Sequence, residues 1–398
     1  MGEKFAKLKD ENKILVMLAF FSISIGLWTN FKQLWLQDNN LEVDRISQVL
    51  SISGLFCVIA LIVFAKKVSL ENIKKVITIA IFLKAVNLII LSILNHTEYK
   101  TVIEILIILD AIFENLIIIG IYPLIVTIKK ENKLYSKRKL VEYLFRDIGI
   151  LVGGILIGKT IAGLRIEYNI CLLISILFLI LAYITILNIK MTAKKQESVP
   201  IKQSIKYLVK DKIARDYLIF VMISEIAMNT GLGLKMLMLT NQLGFSDGGA
   251  TNYLLIVGLI ADGIGILALK YFTPKNEYLT LTIKFGIRFW LYLMAFLSNH
   301  LSSCLIAITW SILISTAYEN VTDAPYINRM PNEYQIIFTN YRYIVKTIGT
   351  SIGVYFAGIM YPLGVPYILG LSAFFMIFQM TYAYYLVYLR NKKTIDNN

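Results

Sequence analysis

The chain has 398 residues, of which 57% are hydrophobic and 17% charged, and its mean hydropathy is +0.66. Soluble proteins are about 45–50% apolar and about 25% charged, so this composition is typical of a membrane protein. A soluble enzyme, a disordered chain and a disulfide scaffold are not expected, since the three cysteines lie in apolar runs. The net charge of +14 comes from short basic clusters between long apolar runs, which favours cytoplasmic loops over a nucleic-acid interface.

Twelve apolar windows are long enough to cross a bilayer, for which a helix needs about 20 residues. The first window is too long for a signal peptide and no small-residue cleavage site follows it, so we expect it to be retained. The sequence therefore predicts an all-α polytopic membrane protein with twelve transmembrane helices. They are predicted at 13–36, 43–65, 76–95, 101–127, 140–163, 166–189, 216–240, 248–271, 278–298, 303–327, 334–360 and 364–389.

Basic residues are distributed unevenly between the predicted loops. They cluster before the first span, in the second and fourth loops, in the connection at 190–215 and after the last span. The remaining loops hold little more than Arg45, Lys100 and Arg165. Because loops rich in lysine and arginine stay on the inner side of the membrane, both termini are predicted to be cytoplasmic.

The longest polar segment, 190–215, lies between the sixth and seventh spans. We interpret it as a cytoplasmic linker between two six-helix halves, at 1–189 and 216–398. An amphipathic helix on the inner membrane surface is one interpretation of the stretch IKQSIKYLVK within it.

The two halves match each other at a shift near 204 residues, which indicates an internal duplication. Shared apolar residues could arise by chance, but charged and amide residues at the same depth in both halves would not readily do so. The polar matches, allowing short gaps, are Lys32 with Lys235, Lys84 with Arg288, Asn95-His96 with Asn299-His300, Glu114 with Glu319, Asn115 with Asn320, and Arg146 with Arg342.

Two six-helix halves, cytoplasmic termini and a long basic central loop form a layout that resembles the major facilitator superfamily (MFS) of transporters over nearly the whole chain. The basic loop FAKKVSLENIKK follows the second span, where the family has a basic loop. The fifth span resembles the glycine-rich motif of the family's exporters through Gly149, Gly153, Gly154 and Gly158. The resemblance implies alternating access to a cavity between the halves, lined mostly by the first, fourth, seventh and tenth helices.

Four acidic residues lie on two of these cavity helices. Asp110 and Glu114 share one face of the fourth span, while Glu319 and Asp323 belong to a polar stripe on the tenth. A charge at the bilayer centre costs about 2.5–3.5 kcal/mol on insertion scales, so each needs a reason to be there. We predict that these acids couple transport to protons or bind a cationic group. The alternative is a set of structural ion pairs with lysine or arginine from neighbouring helices.

Polar side chains on the same helices are candidates for the wall of the substrate site. The first and seventh spans carry such residues on matching faces, and the fourth and tenth each contribute an asparagine. A tryptophan of the first span is a candidate to stack on a ligand, with anchoring at the membrane interface as the alternative. The predicted substrate-binding residues are Ser22, Trp28, Thr29, Asn30, Gln33, Asn115, Glu225, Asn229 and Asn320.

Arg146, Asp147 and Arg342 lie one to three turns from the cytoplasmic ends of the fifth and eleventh spans. We predict an inner gate of ion pairs there, with substrate contact as the alternative. Lys32 and Lys235 lie toward the outer ends of their spans and are expected to extend to the membrane surface. Residues on helices that face lipid or scaffold the core are expected to pair locally, namely Lys84, Asp262, Lys284 and Arg288.

An intramembrane enzyme is the main competing class of function. The only histidines, His96 and His300, lie at equivalent loop ends in the repeat, and the sequence contains no metal-binding, phosphate-binding or clustered-cysteine motif. We therefore predict neither an enzyme nor a metal or cofactor site. A channel is not expected, because a twofold duplication supplies no ring of filter residues. A transporter-like sensor or assembly protein stays open as an alternative.

The preferred hypothesis is a secondary active transporter that exports a cationic or amphipathic compound in exchange for protons. The alternative is a proton-coupled importer of an anionic or zwitterionic nutrient. Lysine outnumbers arginine 31 to 9, which is typical of an AT-rich bacterial genome and favours a bacterial cytoplasmic membrane. The predicted partners are a small-molecule substrate, protons and the lipid bilayer, and the predicted state is a monomer.

Overall fold

The computed structural model describes residues 10–29, 31–67, 72–94, 98–128, 132–157, 167–189, 210–271, 277–314 and 332–396. Throughout these stretches the chain forms helices joined by turns, without strands, so the predicted all-α class is confirmed. The α-helices, numbered in chain order, are α1 Asp10–Trp28, α2 Lys32–Asp38, α3 Val43–Lys67, α4 Ile73–Ile93, α5 Lys100–Ile128, α6 Asn132–Leu156, α7 Glu167–Leu187, α8 Lys212–Leu232, α9 Lys235–Leu237, α10 Asp247–Tyr271, α11 Glu277–Ser298, α12 Leu301–Ile314, α13 Asn332–Met360 and α14 Val365–Asp396.

Where the structure describes the predicted spans, they coincide with helix; the fifth is described as far as Ile157 and the tenth as far as Ile314. The chain is a multi-pass membrane protein by the length and polarity of these helices. Among the described residues, eight helical stretches are long and apolar enough to cross a membrane: Asp10–Asp38, Val43–Phe64, Ile73–Ile93, Tyr168–Leu187, Ala214–Gln242, Asp247–Gly265, Phe338–Leu363 and Val365–Leu386.

The first helix of each sequence half is interrupted at an equivalent place. In the first half, α1 ends at Trp28 and α2 begins at Lys32; in the second, α8 ends at Leu232 and α9 begins at Lys235. A short π-helix, Met238–Gln242, follows α9. Interruptions at matching positions are what a duplication preserves, and they turn the side chains that follow in a direction that an unbroken helix would not give.

The turns that follow the interrupted helices also match. Asn40 and Gly244 lie 204 residues apart and both have positive φ, at 60° and 76°. Asparagine and glycine tolerate this left-handed conformation better than other residues, because their short or absent side chains avoid the backbone clash. The structure therefore repeats a backbone feature at the spacing that the polar sequence matches indicate.

Packing divides the chain into two compact units. The first contains Met1–Glu42, Phe56–Ser198 and Phe245–Leu255, and the second contains Val43–Leu55, Val199–Gly244 and Ile256–Asn398. The first turns of α3 and α10 are thus assigned to the unit that holds the other half of the sequence. The linker predicted at 190–215 lies largely outside the described residues, and the boundaries 1–189 and 216–398 stay predictions.

The helices of the two units pack in the same pattern. In the first unit α1 packs on α6 and α7, and α4 packs on α5 and α7. In the second unit α8 packs on α13 and α14, and α11 packs on α14. Three of the four helix pairs of the first unit thus have a counterpart among the described helices of the second, and in both units the interrupted first helix packs on two others.

Close approach of α1 and α6 depends on a pair of glycines. A Cβ atom added at Gly26 would collide with the carbonyl oxygen of Arg146 and lie 3.0 Å from the Cα of Gly149. Helices that lack side chains at the crossing bring their backbones together, which is the usual packing device in membranes. This contact holds the interrupted helix firmly against its neighbour.

We expect Gly26→Ala to destabilise the protein by about 1–3 kcal/mol, because the new methyl group meets backbone that cannot move aside. The matched control is Gly263→Ala in α10, where a Cβ would meet nothing within 4 Å. That change should be neutral or stabilising, since alanine favours helix over glycine by about 1 kcal/mol. Thermal unfolding of the two variants in detergent measures the difference. Equal midpoints would show that the α1–α6 crossing can relax.

Candidate functional site

A network of buried charges lies at the centre of the first unit. Asp110 and Glu114 lie one turn apart on α5, and Lys84 of α4 reaches both carboxylates. Its ammonium nitrogen lies 2.5 Å from Asp110 Oδ1 and 2.9 Å from Glu114 Oε2. The side chains of Lys84 and Asp110 have no solvent exposure. We refer to these three residues together with Lys32 as the charge cluster.

Two further donors converge on Asp110 from either side of the α1–α2 interruption. Trp28, the last residue of α1, donates its indole N–H to Asp110 Oδ2 at 2.8 Å. Lys32, the first residue of α2, donates to the same oxygen at 2.6 Å, and its ammonium lies 5.6 Å from the Trp28 ring centre. Two residues of one span thus meet a single carboxylate. Asp110 is held as an anion by charge-assisted hydrogen bonds.

Glu114 has fewer partners than Asp110 and lies nearer to solvent. Its side chain is 14% exposed, and the described contacts give it a single ammonium partner, Lys84. The hydroxyl of Thr29, an exposed residue, lies 3.5 Å from Glu114 Oε2. Glu114 is therefore the more accessible of the two carboxylates.

The charge cluster is electrically balanced, with two lysines and two carboxylates. In a low-dielectric interior an uncompensated charge is costly, and removing one partner of a buried pair typically destabilises by about 3–5 kcal/mol. Neutralising Glu114 by a proton would leave the cluster with a net positive charge. Its affinity for an anion would then rise, since attraction between unlike charges is strong at short distance in such surroundings.

The second unit holds a smaller polar cluster on α8 and α13. Glu225 is 7% exposed, and its carboxylate accepts hydrogen bonds from Asn229 at 3.0 Å and Thr350 at 3.3 Å. Lys346, one turn before Thr350 on α13, lies 3.3 Å from the other carboxylate oxygen. Asn229 also donates to Thr350 at 3.2 Å. The carboxylate of Glu225 is thus held by two hydrogen bonds and one ion pair.

Arg288 occupies the position in the second unit that Lys84 occupies in the first. Its Nε donates to Ser311 Oγ at 2.7 Å, and the Tyr292 hydroxyl donates to the same oxygen at 2.8 Å. All three residues are buried, Arg288 with 1% exposure. A guanidinium and two hydroxyl groups thus meet where the first unit has an ammonium and two carboxylates.

The structure brings several of the predicted residues together. Asp110, Glu114, Trp28 and Thr29 meet in the first unit, and Glu225 meets Asn229 in the second. The residues Asn30, Glu319, Asn320 and Asp323 lie outside the described residues. The roles predicted for all of them stay predictions.

Three predicted wall residues lie apart from these contacts. Ser22 is buried in α1, and Gln33 is partly buried in α2. Asn115 donates to the carbonyl of Ala111 in its own helix at 2.7 Å and to Cys57 Sγ at 3.4 Å. The amide of Asn115 is therefore directed toward packing contacts within the first unit.

The predicted gate residues lie on α6 and α13. Arg146 and Arg342 are partly buried, and Asp147 is buried at 6% exposure. The Arg146 guanidinium lies 5.1 Å from the centre of the Tyr143 ring, one turn earlier. Their role as an inner gate stays a prediction.

Sequence reasoning missed the two lysines of the charge cluster. The expectation that Lys32 extends to the membrane surface is wrong, because it is 7% exposed and bound to Asp110. Lys84 was expected to pair locally, and it pairs with both acids of the neighbouring helix α5, which is the ion-pair alternative given for those acids. Lys346 and Thr350 at the Glu225 cluster were also absent from the predicted set. The repeat match of Lys84 with Arg288 was the available signal, since a cation at the same depth in both halves is not explained by packing.

Among the described residues, no group of three or more histidine, cysteine, aspartate or glutamate side chains could hold a metal ion.

Removing Lys84 tests the energetic role of the charge cluster. We expect Lys84→Met to destabilise the protein by about 3–5 kcal/mol, because Glu114 would lose its described ammonium partner inside the unit. The control is Lys75→Met, because Lys75 is an exposed lysine of the same helix. This substitution should change the stability little. The double variant Lys84→Met/Glu114→Gln should recover part of the loss. Thermal unfolding in detergent gives the midpoints of all three variants. If the midpoint of Lys84→Met equals that of the wild type, Lys84 does not stabilise the charge cluster.

No family model and no curated protein matches the sequence. Solved structures do match its fold. The nucleoside transporter NupG has a TM-score of 0.67 at 11% identity, covering 96% of this chain and 98% of its own. The human organic anion transporter MFSD10 has a TM-score of 0.69 at 8% identity, covering 94% and 99%. The E. coli fucose:proton symporter FucP, an MFS transporter, has a TM-score of 0.64 at 13% identity, covering 96% and 99%. The chain therefore has the fold of major facilitator superfamily transporters.

Proposed function

We propose that the protein is a proton-coupled secondary active transporter that moves a small anionic or zwitterionic molecule by alternating access. The protein lies in the cytoplasmic membrane of a bacterium and has both termini in the cytoplasm. It acts as a monomer. The MFS fold supports transport as the general activity. The similar structures include a nucleoside transporter, an organic anion transporter and a fucose:proton symporter, which supports a small polar substrate and coupling to protons.

The observation that carries the proposal is the contrast between Glu114 and Asp110. Asp110 is fully buried and bonded to Lys32, Lys84 and Trp28, so its charge is locked. Glu114 shares Lys84 and is partly exposed. A carboxylate that can lose one partner and meet solvent is suited to exchange a proton during a transport cycle. Glu114 is therefore the proton carrier, and Asp110 holds the lysines in place.

Coupling follows from the charge balance of the cluster. With Glu114 ionised, Lys84 and Lys32 are compensated and attract an anion only weakly. With Glu114 protonated, the cluster carries one excess positive charge and binds an anionic group more tightly. Binding of the proton and of the anion is then mutually favourable, as the reciprocity of linked binding requires. Such a carrier moves both in the same direction.

Export of a cationic compound, the function preferred from the sequence, is the second candidate. It is favoured by one observation, the solvent-reachable edge of Glu114 beside the exposed Thr29. A cationic substrate would have to displace Lys84 from Glu114 to bind there. Because Lys84 contacts the carboxylate at 2.9 Å, that exchange costs an existing ion pair. The contacts thus support the anionic or zwitterionic class more strongly.

A thermal-shift screen of the detergent-purified protein separates the two candidates. The probes are succinate, L-alanine, uridine, fucose and tetraphenylphosphonium. A ligand at 100 times its Kd stabilises by about 2.7 kcal/mol, which such a screen detects. Stabilisation by succinate or alanine is the expected result. Stabilisation by tetraphenylphosphonium alone would favour the cation exporter.

Glu114→Gln tests the proton carrier. In proteoliposomes loaded with the stabilising probe, uptake driven by a pH gradient should be lost, while exchange of labelled for unlabelled probe at equal pH should persist. The reason is that glutamine keeps a hydrogen-bonding group but cannot change charge. Glu98→Gln, at an exposed position before α5, is the matched control and should behave as wild type. If Glu114→Gln and Glu319→Gln both support normal driven uptake, the acids are structural and the mechanism is wrong.

A further inference from the structure

Arg288 is a buried cation whose hydrogen-bonding capacity is only partly used. It lies in the interior of α11 with 1% exposure, and its neighbours Tyr292 and Ser311 are fully buried. A guanidinium carries five N–H donors, and it stays charged in proteins. Among the described residues, Nε is bonded to Ser311, while Nη2 is buried without any acceptor.

The surroundings of Arg288 supply hydroxyl groups and an aromatic ring rather than a carboxylate. Ser311 Oγ accepts from both Arg288 and Tyr292, so its own hydroxyl hydrogen is left to donate. The centre of the Tyr292 ring lies 6.0 Å from the guanidinium carbon, at the limit of a cation–π contact. A buried ion at this depth is costly unless a counter-charge compensates it. The described contacts of Arg288 include no such counter-charge.

The equivalent cation in the first unit, Lys84, has its charge compensated by neighbouring carboxylates. Lys84 meets Asp110 at 2.5 Å and Glu114 at 2.9 Å, and its ammonium is fully compensated. The two units pack in the same pattern, yet only the first provides acids to its cation among the described residues. The duplicated position has therefore kept the cation and changed its surroundings.

The interruption of α8 lies beside this group. A Cβ atom added at Gly231, next to the end of α8, would lie 2.7 Å from Tyr292 Cε2 and 2.9 Å from Ser372 Oγ. In the first unit the interruption after Trp28 likewise lies beside the charge cluster. Interrupted helices next to polar groups are where transporters of several folds bind their substrates.

We propose that Arg288 and Ser311, held by Tyr292, form an anion subsite that takes one carboxylate or similar oxyanion of the transported molecule. The substrate class rests on the proposed function; the subsite itself rests on the contacts of the second unit. Nη2 and the Ser311 hydroxyl supply donors toward the oxyanion, and the planar guanidinium suits its two oxygens. The anion enters as the helices around α11 rearrange in the transport cycle, and it neutralises the arginine while bound.

Anion binding to the purified full-length protein tests the subsite. The probes are acetate, succinate and inorganic phosphate, each compared with chloride at the same ionic strength. The wild type should be stabilised by at least one of the oxyanions, with a Kd obtained from the concentration dependence. Arg288→Gln should weaken that binding about tenfold to hundredfold, as expected for lost hydrogen bonds to a charged group. Ser311→Ala should have a smaller effect, and the exposed Lys75→Gln should have none.

Arg288→Lys provides a second test in case Arg288→Gln does not fold. Lysine keeps the positive charge but lacks the planar set of N–H donors of a guanidinium. This variant should therefore bind the anion more weakly than the wild type and more tightly than Arg288→Gln. An unchanged Kd in a folded Arg288→Gln or Arg288→Lys variant would overturn the proposal. Absence of stabilisation by all three oxyanions would do the same.

A double-mutant cycle distinguishes an external anion from an internal one. Glu319 lies outside the described residues, and the repeat matches it with Glu114. Suppose that Arg288→Gln and Glu319→Gln each destabilise the protein, and that the double variant is no less stable than either single variant. Glu319 then compensates the arginine, and the proposed subsite is wrong. Additive effects support an external anion. Glu114→Gln separates the two proposals, since it should retain anion binding while losing pH-driven uptake.

Discussion

The structure of the first unit depends on the compensation of one buried carboxylate. Asp110 has no solvent exposure, and Trp28, Lys32 and Lys84 all donate to it. These donors come from α1, α2 and α4, so the carboxylate on α5 ties together helices that are far apart in sequence. Without it, two lysines would be buried with a single remaining acid, which the low dielectric of the interior penalises strongly.

The break in the first helix lies beside the same carboxylate. Trp28, the last residue of α1, and Lys32, the first residue of α2, both donate to one oxygen of Asp110. The glycine contact between α1 and α6 holds the part of the span that precedes the break. Helix packing and charge compensation thus act on the same short segment of the chain.

Duplication and divergence explain the asymmetry between the units. Both keep an interrupted first helix and a residue with positive φ after it, Asn40 and Gly244, which lie 204 positions apart. Both also carry a buried cation at an equivalent position, on α4 in the first unit and on α11 in the second. In the first unit the cation Lys84 is held by acids, which gives a balanced group that a proton can perturb. In the second unit Arg288 donates to the hydroxyl of Ser311. The proposed proton carrier and the proposed anion subsite both rest on this difference between the units.

Apolar windows predicted where the helices lie, because the free energy of placing a residue in a membrane is nearly additive along one span. The spacing of Asp110 and Glu114 likewise predicted a shared face, since it depends only on the helical period. The end of α1 at Trp28 and the burial of Lys32 were not predictable in this way. Lys32 and its partner Asp110 are 78 residues apart, and the alternative of extending to the membrane surface is equally compatible with the local sequence.

The sequence by itself determined the class of the protein: a duplicated, all-helical membrane chain with acids on its fourth span. These properties follow from hydropathy, period and self-similarity, which are local or repeated along the chain. Only the tertiary structure decided which cation compensates which acid, and that Asp110 is locked while Glu114 keeps a solvent-facing edge. The reason is physical. The state of a buried charge depends on atoms within a few ångströms of it, and those atoms belong to helices whose order in sequence does not give their distance in space.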